Sequence, residues 1–262
     1  MRYTLITGAS SGMGLEYARQ SAAAGENIII VSNQEQANNA AAEQIAGQYG
    51  VDAKVITVDL SKQNAAREVY DTACSYGVVD KLISNAGVLH FGKLSKTTDE
   101  YTDFITALHC TTPIKLCRLF SADMAARCEG KILITCSMTA WTPYPTMSLY
   151  GSTKAALKSF AQSLWYEMRE YGVSVTTVFP GAVDTPLYNL SDRHRKWLRA
   201  LGVMSSAQSV ARKGLRAMRR GRRTLIPGVF TKIAVFGCKI LPAHAILLVM
   251  RIPAIKRLLA SL

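Results

Sequence analysis

The sequence predicts a doubly wound α/β fold: one parallel sheet covered by helices on both faces. Three observations carry the prediction. Strand-like and helix-like stretches alternate through the first two-thirds of the 262 residues. The strand-like stretches are apolar throughout, as in a parallel sheet buried on both sides. The first of them runs directly into a glycine-rich turn that opens a helix.

The elements follow in order. Residues 3–7 (YTLIT) form a short apolar run that stops at glycine, and residues 14–25 have helical periodicity ending on Gly25, a C-terminal signal. Residues 27–32 (NIIIVS) are a β-branched strand, 35–50 an Ala- and Gln-rich helix, 53–60 a strand, 64–77 a helix, and 79–87 a strand into a turn. A long segment from Asp99 to about Arg127 reads as helix interrupted by Pro113. A strand at 130–137, a long helix at 150–172 and a strand at 173–181 follow. Residues 206–223 read as a helix with an apolar stripe and a basic face, and 224–228 as the last strand and its exit. The main domain is expected at residues 1–228, with an apolar, basic extension at 229–262.

Composition narrows the classes. Apolar residues make up 49% of the chain, too many for a disordered protein. The six cysteines are scattered without CxxC or paired His spacing, which argues against a disulfide framework or a zinc site and fits reduced thiols in the cytoplasm. No leader-like segment precedes the first strand. The net charge of +13 is uneven: residues 193–262 hold 16 Lys and Arg and no acid, whereas the first 192 residues hold 15 bases against 18 acids. Such a tail favours anionic surfaces. Nucleic acid is disfavoured, because aromatic residues for base stacking are not interleaved with the charges.

The turn TGASSGMG (7–14) places Gly8, Gly12 and Gly14 between strand and helix. Glycine there permits a tight turn and close approach of a pyrophosphate, and the helix N-terminus offers unpaired N–H groups to the phosphates. Further on, YGSTK (150–154) sets Tyr150 one helical turn from Lys154. In isolation that pair is an ordinary helix surface.

Together, and in this order, the motifs resemble the short-chain dehydrogenase/reductase family of the classical type over about residues 2–227. TGASSGMG matches the cofactor turn, Asp59 and Leu60 the adenine-contacting segment, SNAG (84–87) the block after the fourth strand, and FPGAVDT (179–185) the Pro-Gly segment. Ser137 matches the family's catalytic serine, 13 residues before the Tyr150 and Lys154 of its Y-x-x-x-K motif. The resemblance implies a Rossmann-type domain and an NAD(P) cofactor held by Gly8, Ser10, Ser11, Gly12, Met13, Gly14, Ser32, Asn33, Asp59, Leu60, Asn85, Ala86, Gly87, Tyr150, Lys154, Pro180, Gly181, Val183 and Thr185. Ser137 would polarise a substrate carbonyl, Tyr150 would exchange its proton, and Lys154 would lower the tyrosine pKa and bind the cofactor ribose. Such relatives pair through their fourth and fifth major helices, which implies a homodimer or homotetramer.

Two departures stand out. His109 occupies the position of the family's asparagine, which holds a proton-relay water. A histidine can hold a water and shuttle protons, and the favoured reading is a working variant with His109 in the catalytic set; a satisfied core residue and a chain that has lost activity are the alternatives. The end of the second strand carries Ser32 and Asn33 where NAD users carry an acid, which tilts the expectation to NADPH over NAD, with both residues as donors to a 2′-phosphate.

Residues 229–262 are strongly apolar, yet Lys232, Lys239, Pro242 and His244 interrupt any spanning run. Covering the cleft, burial in an oligomer and a peripheral position on the cytoplasmic face of an anionic membrane are the competing readings, with the basic segment 193–262 favouring the last. A substrate loop is expected at about 183–205, where Leu187, Tyr188, Trp197 and Leu201 accompany several bases. Extensions of this kind also occur in relatives that reduce lipid-like ketones such as 3-ketosphinganine or steroid ketones. The expected reaction is therefore NADPH-dependent reduction of a ketone on a hydrophobic small molecule. A dehydrogenase of a soluble alcohol or sugar and a non-catalytic nucleotide sensor are the alternatives.

Overall fold

A computed structural model describes residues 1–89, 91–142, 144–185, 196, 198–199, 202–241, 244–245, 248 and 252. Leu187, Tyr188, Trp197 and Leu201 of the expected substrate loop lie outside the described residues, as do Pro242 and most of 246–262.

The chain runs β1 (Arg2–Thr7), α1 (Gly12–Ala22), β2 (Asn27–Ser32), α2 (Glu35–Tyr49), β3 (Ala53–Thr57), α3 (Ala65–Tyr76) and β4 (Val78–Ser84). It continues through α4 (Asp99–Thr106), a π-helical turn (Ala107–Thr111), α5 (Thr112–Ala126), β5 (Lys131–Thr135), α6 (Ser148–Arg169) and β6 (Ser174–Val178). Last come β7 (Ala182–Asp184), β8 (Met204–Ser206), α7 (Ala207–Arg219), β9 (Thr224–Leu225) and α8 (Val229–Ile240). Seven strands form one parallel sheet in the order β3-β2-β1-β4-β5-β6-β9, and β7 pairs with β8 outside it. The order reverses between β1 and β4, so the cleft for a ligand lies beyond their C-terminal ends.

Alternate residues of each strand feed two separate cores, as a period of two requires. Leu5, Ile29, Val31, Leu82, Ile132 and Ile134 face α3, α5 and α6, meeting Val69, Phe120, Leu157 and Leu164. Ile6, Ile28, Ile30, Ile83, Leu133 and Val178 face α1, α2 and α7, meeting Tyr17, Ile45, Val210 and Leu215. Helix starts use their own chemistry: Thr98 Oγ1 accepts the Tyr101 N–H at α4, and Ser206 Oγ accepts the Ser209 N–H at α7.

Pro113 does not break its helix. The π turn before it shifts the bonding pattern, so that the Thr112 N–H donates to Ala107 O five residues back, and Pro113 follows at the junction where the α pattern of α5 resumes. Interruption therefore takes the form of one extra residue in a continuous helix. Beyond β9, α8 packs back on the domain through buried Thr231 and Val235. Lys239 Nζ lies 3.8 Å and Lys158 Nζ 3.9 Å from the centre of the Trp141 ring, a cation–π contact that ties α8 to α6 and the β5–α6 connection. No helix among the described residues is long and apolar enough to cross a membrane.

The tightest packing in the sheet's second layer is between α1 and the turn that precedes it. A Cβ on Gly14 would fall on the Gly8 carbonyl group and within 2.9 Å of Ala9 Cα. Gly14→Ala should therefore part helix from strand, lowering Tm by roughly 4–10 °C for about 2–3 kcal/mol of overpacking and weakening dinucleotide binding at least about 10-fold; thermal melts and a nucleotide titration check both.

Candidate active site

The C-terminal ends of the strands carry the groups that the sequence marked. At β1 the chain turns through Gly8 at φ +68°, where any side chain would meet Ala86 Cα at 2.8 Å. The Thr7 hydroxyl accepts both the Asn85 and Ala86 N–H groups, at 2.9 and 3.0 Å, and Asn85 Nδ2 donates to Thr7 O at 3.2 Å. These bonds lock the ends of β1 and β4 side by side. Helix α1 starts at Ser11 without a side-chain cap and with no acid in its first turn, so its leading N–H groups are left to a ligand.

One wall of the cleft comprises Gly8, Ser10, Ser11, Gly12, Met13, Ser32, Asn33, Asp59, Leu60, Asn85, Ala86, Gly87 and Thr185. It continues past Met13, Asn85, Gly87 and Thr185 into a second cavity lined by Ser137, Tyr150, Lys154, Pro180, Gly181 and Val183. The structure thus brings together every cofactor and catalytic residue expected from the sequence except two. Gly14 packs behind the turn, and His109 lies beneath the floor.

The glycine cradle, the uncapped helix start and Asn85 Oδ1, buried without a hydrogen-bond partner, fit a pyrophosphate-linked dinucleotide. Asp59 lines the wall while its carboxylate accepts from the Ser61 N–H and hydroxyl, which hold it below its ordinary pKa. Ser32 corrects an expectation. Its hydroxyl donates to Asn38 Oδ1 at 2.6 Å and accepts the Gln34 N–H, so its proton is not free for a 2′-phosphate. Donation at that corner falls to Asn33 and Gln34.

Tyr150 and Lys154 stand on the first turns of α6, with Lys154 Nζ 5.6 Å from the centre of the phenol ring. Lys154 is only 4% exposed, and burial pushes its pKa below the usual lysine value. Two thiols brace this turn: Cys136 Sγ donates to Lys154 O at 3.1 Å and Cys110 Sγ to Thr153 O at 3.4 Å. Ser137, after β5, accepts the Thr139 N–H at 3.2 Å.

His109 sits in the π turn with both ring nitrogens engaged. Nε2 accepts the Val88 N–H at 3.0 Å, so the ring proton is on Nδ1, which lies 3.1 Å from Thr153 Oγ1. The Thr153 hydroxyl spends its own proton on Tyr150 O at 2.8 Å and accepts from Nδ1. Burial, then the Lys154 charge, hold the imidazole pKa well below its ordinary value. The ring is a neutral strut between the β4 exit and the Tyr150 turn, and it offers no nitrogen to a water. Thr7, Thr153 and the bracing cysteines were not legible as site residues: hydroxyls and thiols that bond to backbone leave no spacing signature.

A family model for short chain dehydrogenases matches residues 2–196. The chain belongs to the short-chain dehydrogenase/reductase family. It is 33% identical over 188 residues to an uncharacterised oxidoreductase, YmfI, of Bacillus subtilis, covering 71% of this chain and 76% of that one. It is 29% identical over 238 residues to 11-beta-hydroxysteroid dehydrogenase A of Sesamum indicum, covering 83% and 67%. A short-chain dehydrogenase from Sphingobium yanoikuyae solved with NADPH superimposes with a TM-score of 0.80 at 24% identity, covering 97% of this chain and 98% of that one. The short-chain dehydrogenase described here is accordingly an NAD(P)-dependent oxidoreductase.

Two substitutions test this geometry. Lys154→Met removes a buried cation that has no salt bridge among the described residues, so Tm should hold or rise by up to roughly 4 °C while turnover falls at least about 100-fold. Because His109 is held neutral when folded but binds a proton near pH 6.5 when unfolded, stability is lost as pH falls below that value. The decline in Tm from pH 6.5 to 5 should be steeper in the wild type than in His109→Asn, as measured by melts across that range.

Proposed function

We propose that this enzyme uses NADPH to reduce a ketone on a hydrophobic small molecule, working at the cytoplasmic face of a membrane. One observation carries the substrate class. Lys154 is the one charged side chain among the described residues lining the catalytic cavity, and the walls around it are mainly apolar, with Leu89, Phe91, Met138, Met147, Val203 and Phe230 set among the hydroxyls of Thr139, Thr142, Tyr144 and Thr231. A polyol would set some of its hydroxyls against the apolar part of that wall, each costly to bury unpaired, whereas an apolar chain or ring system gains about 0.8 kcal/mol per buried methylene. The likeness to a hydroxysteroid dehydrogenase points the same way.

In this reading the dinucleotide supplies the hydride when bound. The α1 N-terminus and the glycine turn would hold its phosphates, Asn85, Gly87 and Thr185 would contact its nicotinamide portion, and Lys154 would hold the ribose. Ser137 donates a hydrogen bond to the substrate carbonyl oxygen. Tyr150 gives its phenolic proton to that oxygen, and the nearby ammonium of Lys154 favours the phenolate left behind. His109 is a positioning residue: through Thr153 it fixes the Tyr150 turn against the Val88 loop. The preference for NADPH rests on the absence of an acid beside the ribose at Ser32 and Asn33, with Asn33 and Gln34 as neutral donors to the 2′-phosphate. A homodimer or homotetramer is the expected assembly.

NADPH and NADH oxidation by the wild type and Tyr150→Phe, measured against long-chain 3-keto amines, 3-ketoacyl chains, steroids and small soluble ketones, tests the proposal. Expected is kcat/KM at least about 10-fold higher for the apolar ketones, lost in the variant, which still binds nucleotide. Better turnover of polyols or small alcohols would overturn the substrate class. Nucleotide binding without turnover of any ketone would favour a sensor.

A further inference from the structure

Helix α8 is two-sided. Val229, Ile233, Phe236 and Ile240 fall within a narrow arc at about 100° per residue, and each is between 63 and 74% exposed. Thr231 and Val235 on the opposite side are buried against the domain. Lys232 and Lys239 border the apolar arc on one edge; Lys232 is exposed, and the ammonium of Lys239 rests over the Trp141 ring. Phe230 stands on the other edge. It lines the catalytic cavity and is 43% exposed; Phe91, which also lines the cavity, is 40% exposed. The cavity mouth and the bare stripe of α8 therefore adjoin. Further on, Leu248 and Ile252 are exposed as well.

We infer that the outer face of α8 docks on an anionic lipid surface, with the mouth of the cleft opening onto it between Phe91 and Phe230. A stripe of this size left in water is unfavourable, and charge selects what covers it. A second copy placed symmetrically on the same face would bring lysines to face lysines, and no acidic residue follows Asp192 to compensate. Anionic headgroups answer both features: the aliphatic and aromatic side chains enter the acyl boundary while Lys232 at the edge reaches the headgroups and Lys239, held over Trp141, adds its charge to the same side. The contact would also reach the cofactor segment, because a side chain at Gly181 would collide with Thr231 of α8. Loading of a ketone from the lipid rests on the substrate class proposed above; the docking itself does not.

The test uses the full chain and its double variant Ile233→Ser, Phe236→Ser, which changes only exposed side chains away from the catalytic groups. Flotation with vesicles of phosphatidylcholine, with and without phosphatidylserine, is read alongside NADPH binding and light scattering. The wild type should float with anionic vesicles and far less with neutral ones, and the variant should partition at least about 10-fold less with unchanged NADPH binding. A wild type that stays in solution, or a variant that floats equally well, overturns the inference. So does a variant that merely drops to a smaller oligomer, since the stripe would then be a self-contact. Flotation combined with preferential turnover of small soluble ketones would uphold the docking while refuting the substrate class.

Discussion

The crossing between β1 and β4 governs this molecule. One hydroxyl, Thr7 Oγ1, takes both the Asn85 and Ala86 N–H groups where the sheet order reverses, and Gly8 closes to within a methyl group's reach of Ala86. Two strand exits that would otherwise splay are fused into one rim. The cofactor wall lies on one side of that rim and the catalytic cavity on the other, sharing Met13, Asn85, Gly87, Val88 and Thr185. A small movement there would misplace both halves of the reaction at once.

The catalytic turn of α6 is held by a second set of bonds reaching it from other elements. His109 and Thr153 link it to the β4 exit, and the thiols of Cys110 and Cys136 reach carbonyls of Thr153 and Lys154. The lysine gains position at the expense of solvation. A buried ammonium is a poor stabiliser, so the enzyme holds a cation where stability alone would place an apolar side chain.

The alternation of strands and helices was legible because parallel strands buried on both faces give continuous apolar runs, and some helices ended on a local signal such as Gly50 at φ +66°. The site was legible where glycine or a fixed spacing is chemically required, as at Gly8, Ser137, Tyr150 and Lys154. It was not legible where a side chain serves through its partner. Ser32 reads as a phosphate donor until Asn38 is seen to take its proton, and His109 reads as a proton carrier until Val88 and Thr153 occupy its nitrogens. The exposure of α8 was equally hidden, because an apolar stretch in sequence does not say which of its faces the domain covers.

The π turn at Ala107–Thr111 sets the phase of everything after it. One extra residue rotates the rest of a helix by about 100°, so α4 and α5 share an axis but not a hydrophobic register. With the insertion, Leu116, Phe120 and Met124 meet the sheet; without it their places would fall to Cys117, Ser121 and Ala125, side chains too small to fill them. The long central helix is thus two amphipathic segments spliced out of step, and the splice point is where the imidazole enters the core.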